Sequence, residues 1–456
     1  MYWIVMHIWV LSRQASFLGG NQLMRIGPKT KRKANHSMAT LLRVKELMNA
    51  AQALRKLGSL EMLRREIKTP GNLSIYLSDR AYEEFLLIVE IAEQFLPSAK
   101  ILEYEDIYSS CQTALGELYT QEGPSHEIDS FLERVEELCR TKISLHVFYT
   151  SLGGLTLEEM DEIEFGEIKI SKADFQILKE CTADIAIKDK IWESNKHRVW
   201  ISQEILGSYR HAERRFFENA NLACGMLAAL FSSVLKGGGL SVRLIPTSNR
   251  YTPITSSTWF SIRKESKDLY ESWTSGGLPL PMPKNAWEDL IETGYFRELT
   301  RITQRGPESD IEEAILRAIY WFFDAQADSI LEMKMLKFWS CIECFFSFEN
   351  SGKTTYKLSR GLTALLAHGG YRFYNPSEIK FLEREFERLY DLRSRAVHDA
   401  RHGHVKAVDV TTLSKWASWV IIEVTSMASR GLKLRSDLKN DIDAIWAYIA
   451  DRSPVE

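Results

Sequence analysis

The segment LYDLRSRAVHDARHGH, residues 389–404, places three arginines and three histidines in twelve residues at the end of a regular helical pattern. Arg393 and His398 frame RSRAVH, an Arg-x4-His spacing. An arginine offers a fixed fork of donors that suits a phosphate. A histidine takes up and gives back a proton near neutral pH. RNA brings its own nucleophile, the 2′-hydroxyl. A protein that activates this hydroxyl and stabilises the charged phosphate can cleave the strand without a metal.

The preceding helical seam supports a special role for Arg393. Ile379, Leu382, Phe386 and Leu389 step by three, four and three residues, and the next step lands on Arg393, then Ala396. A guanidinium therefore occupies a position patterned for an apolar side chain. Such a charge needs an anionic partner or a cleft. Upstream, Glu343 is the only charge among eleven residues in FWSCIECFFSF. It is expected to be buried and to pair with Arg393, with Arg360 and Arg395 as competing partners. Arg393 and His398 lie about 140° apart around an ideal helix, so they meet only through a long arginine or a helix end near His398.

Three other patterns invite chemistry. His398 and His402 stand at i, i+4, with Asp399 and His404 nearby, yet no third ligand of defined geometry accompanies them. NSGKTT at 350–355 lacks the first glycine of a phosphate-binding loop, because Ser347 stands there, and it follows a helix where a strand is required. It is expected to punctuate two helices. Cys341 and Cys344 form a lone CxxC that reads as helical thiols rather than a zinc or redox pair. No metal and no cofactor are expected.

The elements that would hold these residues fall into two regions, an α+β arrangement overall. Residues 38–300 alternate helical and strand patterns and read as a mixed α/β region with a sensor or regulatory role. MATLLRVKELMNAAQALRKLGSLEMLRREI predicts one helix opening at Met38, LSIYL and ISLHVFYTSL predict strands, and IEFGEIKISK a strand or short hairpin. SGGLPLPMPKN, near 275–285, has the composition of a linker. Residues 308–456 then carry helical patterns over 310–327, 330–348, 355–368, 376–400, 407–429 and 436–451, the sign of an all-helical bundle.

The chain has 456 residues, 45% of them hydrophobic, enough for a sizeable core. Its net charge of −3 conceals six Lys or Arg and no acid in residues 1–37, leaving 52 basic against 61 acidic residues in the rest. Any nucleic-acid site is thus a local patch. Residues 1–37 read as a basic, disordered leader. Their apolar start, MYWIVMHIWVL, spans about eleven residues, too few to cross a bilayer. Six scattered cysteines suit a reducing cytoplasm.

AIYWFFDAQADSILEMKMLKFWSCIECFFSF, YKLSRGLTALL and FERLYDLRSRAVHDA together resemble the HEPN superfamily, in particular its Apea-like branch, over roughly residues 310–430. The resemblance implies a helical bundle that dimerises so that two Arg-x4-6-His motifs face one composite cleft. It also implies metal-independent endoribonuclease activity on RNA in phage defence or a toxin system. Arg393 and His398 match the motif pair, and Glu343 falls where the branch carries a glutamate. The branch commonly follows its histidine with glycine, whereas this chain has Asp399. The expectation is a cytoplasmic homodimeric endoribonuclease answering a phage or nucleotide trigger. The competing expectations are a non-catalytic HEPN module binding nucleotide, RNA or a protein, and a structural Arg–Glu pair.

Overall fold

The computed structural model describes residues 26–452, apart from 72, 121–126, 183, 235–241, 247–256, 263–268, 275–279, 329, 347–353 and 399–404. The described residues divide into two compact units, one up to residue 146 with 204–215, the other of 147–203 with those from 216 onward.

The first unit contains α1 (Pro28–Leu41), β1 (Leu47–Met48), α2 (Ala50–Arg64), β2 (Glu66–Lys68), β3 (Ser74–Leu77), α3 (Asp79–Phe95), α4 (Tyr104–Leu118) and α5 (Ile128–Arg140). The expected single helix from Met38 is in fact several elements. α1 ends at Leu41, a 3-10 turn and β1 follow, and α2 starts at Ala50 after its N-cap Asn49, whose side chain forms a capping box with Gln52. Nor does helix begin at Met38. The basic stretch expected to be disordered forms the first turns of α1, with Pro28 at its first position and Lys31 paired with Asp129. The reason is tertiary. Ala34, Met38 and Leu41 are fully buried in one core with Phe85, Ile88, Leu115, Leu132 and Val135, and that burial outweighs the polarity of the exposed face. The strands β1, β3 and β2 form an antiparallel sheet in that order.

Next come β4 (Ser144–Gly153), β5 (Leu155–Leu157), β6 (Glu162–Phe165), β7 (Ile168–Lys172), α6 (Phe175–Lys179), α7 (Ile185–Asn195), β8 (Val199–Gly207) and α8 (Tyr209–Val234). Then follow β9 (Ile245–Pro246), β10 (Ser257–Ile262), β11 (Leu269–Thr274), β12 (Leu280–Met282), α9 (Lys284–Ile291) and α10 (Gly294–Arg305). One five-stranded sheet runs β6-β7-β8-β4-β9, with β6 and β7 as an antiparallel hairpin. The supposed linker is structured where it is described. β12 pairs in parallel with β5, and Met282 is fully buried. Pro281 therefore sits in an edge strand, where a missing N–H is tolerated, rather than in a linker.

The helical region consists of α11 (Asp310–Ala327), α12 (Leu331–Phe346), α13 (Thr354–His368), α14 (Ile379–His398), α15 (Ala407–Ser429) and α16 (Arg435–Arg452). These bounds follow the sequence periodicity within a few residues. α15 is the hub, packing on α10, α11, α12 and α13. The helices do not form a unit of their own from residue 308. Trp419 donates to the Ser233 carbonyl at 3.0 Å, and Gln326 exchanges two hydrogen bonds with the Leu244 backbone. These bonds tie residues 216–300 into the same unit.

Candidate active site

Trp339 sets the register between α12 and α14. It is fully buried, and its ring meets Phe386 at 5.1 Å and Tyr390 at 5.5 Å, both edge-on. Phe386 and Tyr390 stack one turn apart at 5.8 Å. One further turn along each helix lie Glu343 and Arg393. The helices progress in the same sense here, so the aromatic contacts bring acid and base together. The apolar seam behaves as expected up to that point, with Leu382, Phe386 and Leu389 buried.

Arg393 Nη2 donates to Glu343 Oε1 at 3.5 Å, the outer limit of a hydrogen bond. Both side chains are about a quarter exposed, at 26% and 24%. Glu343 was expected to be buried. It is half-buried, while its neighbours Ile342, Phe345 and Phe346 are fully buried. Its pKa lies above the ordinary glutamate value because burial disfavours the carboxylate, and the Arg393 charge only partly offsets this. The Arg393 guanidinium also lies over the Tyr390 ring at 5.5 Å, and its buried Nε has no acceptor. Among the described residues, a side chain with five donors thus spends one of them, weakly.

The other expected residues separate. Arg395 points about 200° away from Arg393 around the helix and pairs with Asp391. Arg360 donates to the Tyr356 hydroxyl at 2.9 Å and lies over the Trp446 ring at 5.1 Å, so it serves the contact between α13 and α16. Among the described residues, the ion pair formed by Glu343 is with Arg393. His398 is the last residue of α14, and its side chain lies outside the described residues, as do Asp399, His402 and His404. Asn350 to Lys353 of NSGKTT are outside them too, and α13 opens at Thr354. In the CxxC, burial pushes Cys341 well above the ordinary thiol range and Cys344 up to about 11. Both thiols are therefore protonated at neutral pH. Among the described residues, no three His, Cys, Asp or Glu side chains cluster as metal ligands, and no helix is long and apolar enough to cross a membrane.

Sequence reading missed two residues that shape this region. Trp339 carries the register, and its buried indole N–H has no partner among the described residues. Glu423 on α15 is 1% exposed and accepts from the backbone N–H groups of Gly370 at 2.6 Å and Tyr371 at 3.1 Å. The signal that singled out Glu343, a lone acid in an apolar helix, marks Glu423 as well. Comparison with protein-family models, with curated proteins and with solved structures finds no match to this chain.

Proposed function

We propose that this chain is a metal-independent endoribonuclease of the HEPN type, with Arg393 and His398 as its working pair. The observation that carries this reading is the under-used Arg393 guanidinium. It is partly exposed, held by one long contact to Glu343, and sits five residues before a histidine at the helix end. An arginine with unspent donors beside a carboxyl whose pKa is raised by burial is suited to receive a phosphate. The resemblance of residues 310–430 to the Apea-like branch supports the same reading.

In the reaction, the 2′-hydroxyl loses its proton to a base and its oxygen attacks the adjacent phosphorus. The bond to the 5′-oxygen breaks, and that oxygen takes up a proton. The products are a 2′,3′-cyclic phosphate and a 5′-hydroxyl. Arg393 stabilises the charge that develops on the phosphate oxygens. His398 moves one of the two protons. One chain supplies one histidine at the motif. A homodimer built through the helical region supplies the second, because a two-fold interface presents the same patch twice. Phage defence or a toxin role in the cytoplasm fits such an activity, with RNA as substrate and no cofactor. A non-catalytic module would use the same arginine to bind RNA and leave it intact.

The test is expression of the wild-type chain against His398→Ala, with total RNA examined for cleavage. Growth arrest with fragmented RNA in the wild type, and neither in the variant, is the expected outcome. Equal cleavage by both proteins removes His398 from the mechanism. Mixing wild type with His398→Ala is expected to give heterodimers of reduced activity. A monomer that retains full activity contradicts the two-fold arrangement.

A further inference from the structure

A second site lies far along the chain from Arg393. β4 and β8 on one side and α6 and α7 on the other enclose a cavity of about 350 Å³. That is within the range of small-molecule sites, roughly 300–1,000 Å³. Its walls are aromatic and aliphatic. Tyr149 and Trp200 stand edge to face at 6.0 Å, with Ile191 and Leu178 opposite. Trp192 and Phe175 extend the aromatic group behind Trp200, at 6.3 Å and 5.2 Å in turn. No Asp, Glu, Lys, Arg or His is among the described residues that line the cavity. A charged ligand group inside it has no counter-charge to replace its lost hydration.

One wall is polar and fixed. Asn195, the last residue of α7, accepts a hydrogen bond from Ser151 Oγ through Oδ1 and donates from Nδ2 to the Ile191 carbonyl at 2.7 Å. The Trp200 indole N–H donates to the Asn195 carbonyl at 3.1 Å, locking the helix end against the strand. A carboxamide has two N–H groups and two lone pairs. Asn195, which lines the cavity, spends one of each in these contacts, which leaves one N–H and one lone pair for a ligand. That pair matches a flat ring carrying an acceptor nitrogen beside an amino group, the pairing by which asparagine reads adenine. Tyr149, the more exposed of these two edge-to-face rings, offers a face to such a ligand, since any base stacks on an aromatic surface.

We infer that this cavity binds an uncharged adenine-type heterocycle, the ring held by Tyr149 and Trp200 and its amino-nitrogen edge read by Asn195. This site stands independently of the ribonuclease reading. Its occupancy is measured on the full chain, and failure of one leaves the other intact. The experiment is calorimetric titration of the full-length protein with free adenine, for the wild type, Asn195→Leu and Tyr149→Ala. Asn195→Leu keeps the volume and removes both hydrogen-bonding groups. Tyr149 is exposed on one side, at 43%, so its removal spares the fold should the Asn195 variant lose structure by circular dichroism. Saturable binding to the wild type, weakened roughly tenfold or more in each folded variant, is expected. No saturable binding of adenine, or equal affinity in the wild type and Tyr149→Ala, overturns the assignment.

Discussion

Glu423 and Glu343 are each the lone acid in an apolar helical stretch, WASWVIIEVTSM and FWSCIECFFSF, yet their surroundings differ. Glu423 is sealed from solvent, and two backbone N–H groups at the end of α13 satisfy it. The fit leaves no slack. A Cβ on Gly369 would stand 2.3 Å from the Leu365 carbonyl oxygen and 2.7 Å from Glu423 Cδ. Glu343 is a quarter exposed, and its guanidinium partner reaches it only at 3.5 Å. The same sequence signal thus marks two kinds of residue. A carboxylate closed in by fixed donors anchors the fold. One at a rim, with its guanidinium partner at 3.5 Å, belongs to the proposed site. The donor inventory around each acid separates the two cases.

Three substitutions sharpen the contrast. Trp339→Ala should be the most damaging, costing about 3–5 kcal/mol, since it empties the space that aligns α12 with α14. Urea denaturation measures the loss, and a cost near zero means that Trp339 does not set the register. Glu423→Leu should cost about 1–3 kcal/mol for each of the two N–H groups it strands. Hydrogen exchange at Gly370 and Tyr371 should rise accordingly, and unchanged protection there contradicts the anchoring role.

Glu343→Gln should change stability by no more than about 1 kcal/mol, because the pair is partly exposed and its contact is long. Its pH dependence is more informative than its size. The folded-state pKa of Glu343 is raised above the ordinary value of 4.5. Between that value and the raised one, the folded chain binds more protons than the unfolded chain, so stability falls as pH rises through this window. The stability of the wild type minus that of the variant should therefore decline as pH rises from about 4.5. A difference that grows with pH implies that Arg393 wins over burial.

The helices of residues 310–452 were legible because each carries a long apolar period and clear stops. Ser309 caps α11, and Asn375 forms a capping box before α14. The pairing of Glu343 with Arg393 was legible as two misplaced charges. The separate roles of Arg360 and Arg395 were not, because partner choice depends on helix rotation and on Trp446 and Asp391, which periodicity does not rank. α1 was missed because its basic face conceals Ala34, Met38 and Leu41, whose burial depends on α3, α4 and α5. β12 was missed because Pro281 and Pro283 mimic a linker, while the parallel pairing with β5 joins residues far apart in sequence.

The central claim is that Arg393 handles a phosphate rather than merely closing an ion pair. The most direct test is cleavage of RNA in excess EDTA by purified wild type and Arg393→Ala, with fragment ends analysed. The account predicts that the wild type cuts and leaves 2′,3′-cyclic phosphates. It predicts that Arg393→Ala is slower by about a hundredfold or more, with stability changed by no more than about 1 kcal/mol. Equal rates for both proteins would contradict it, as would activity lost to EDTA and restored by a divalent ion.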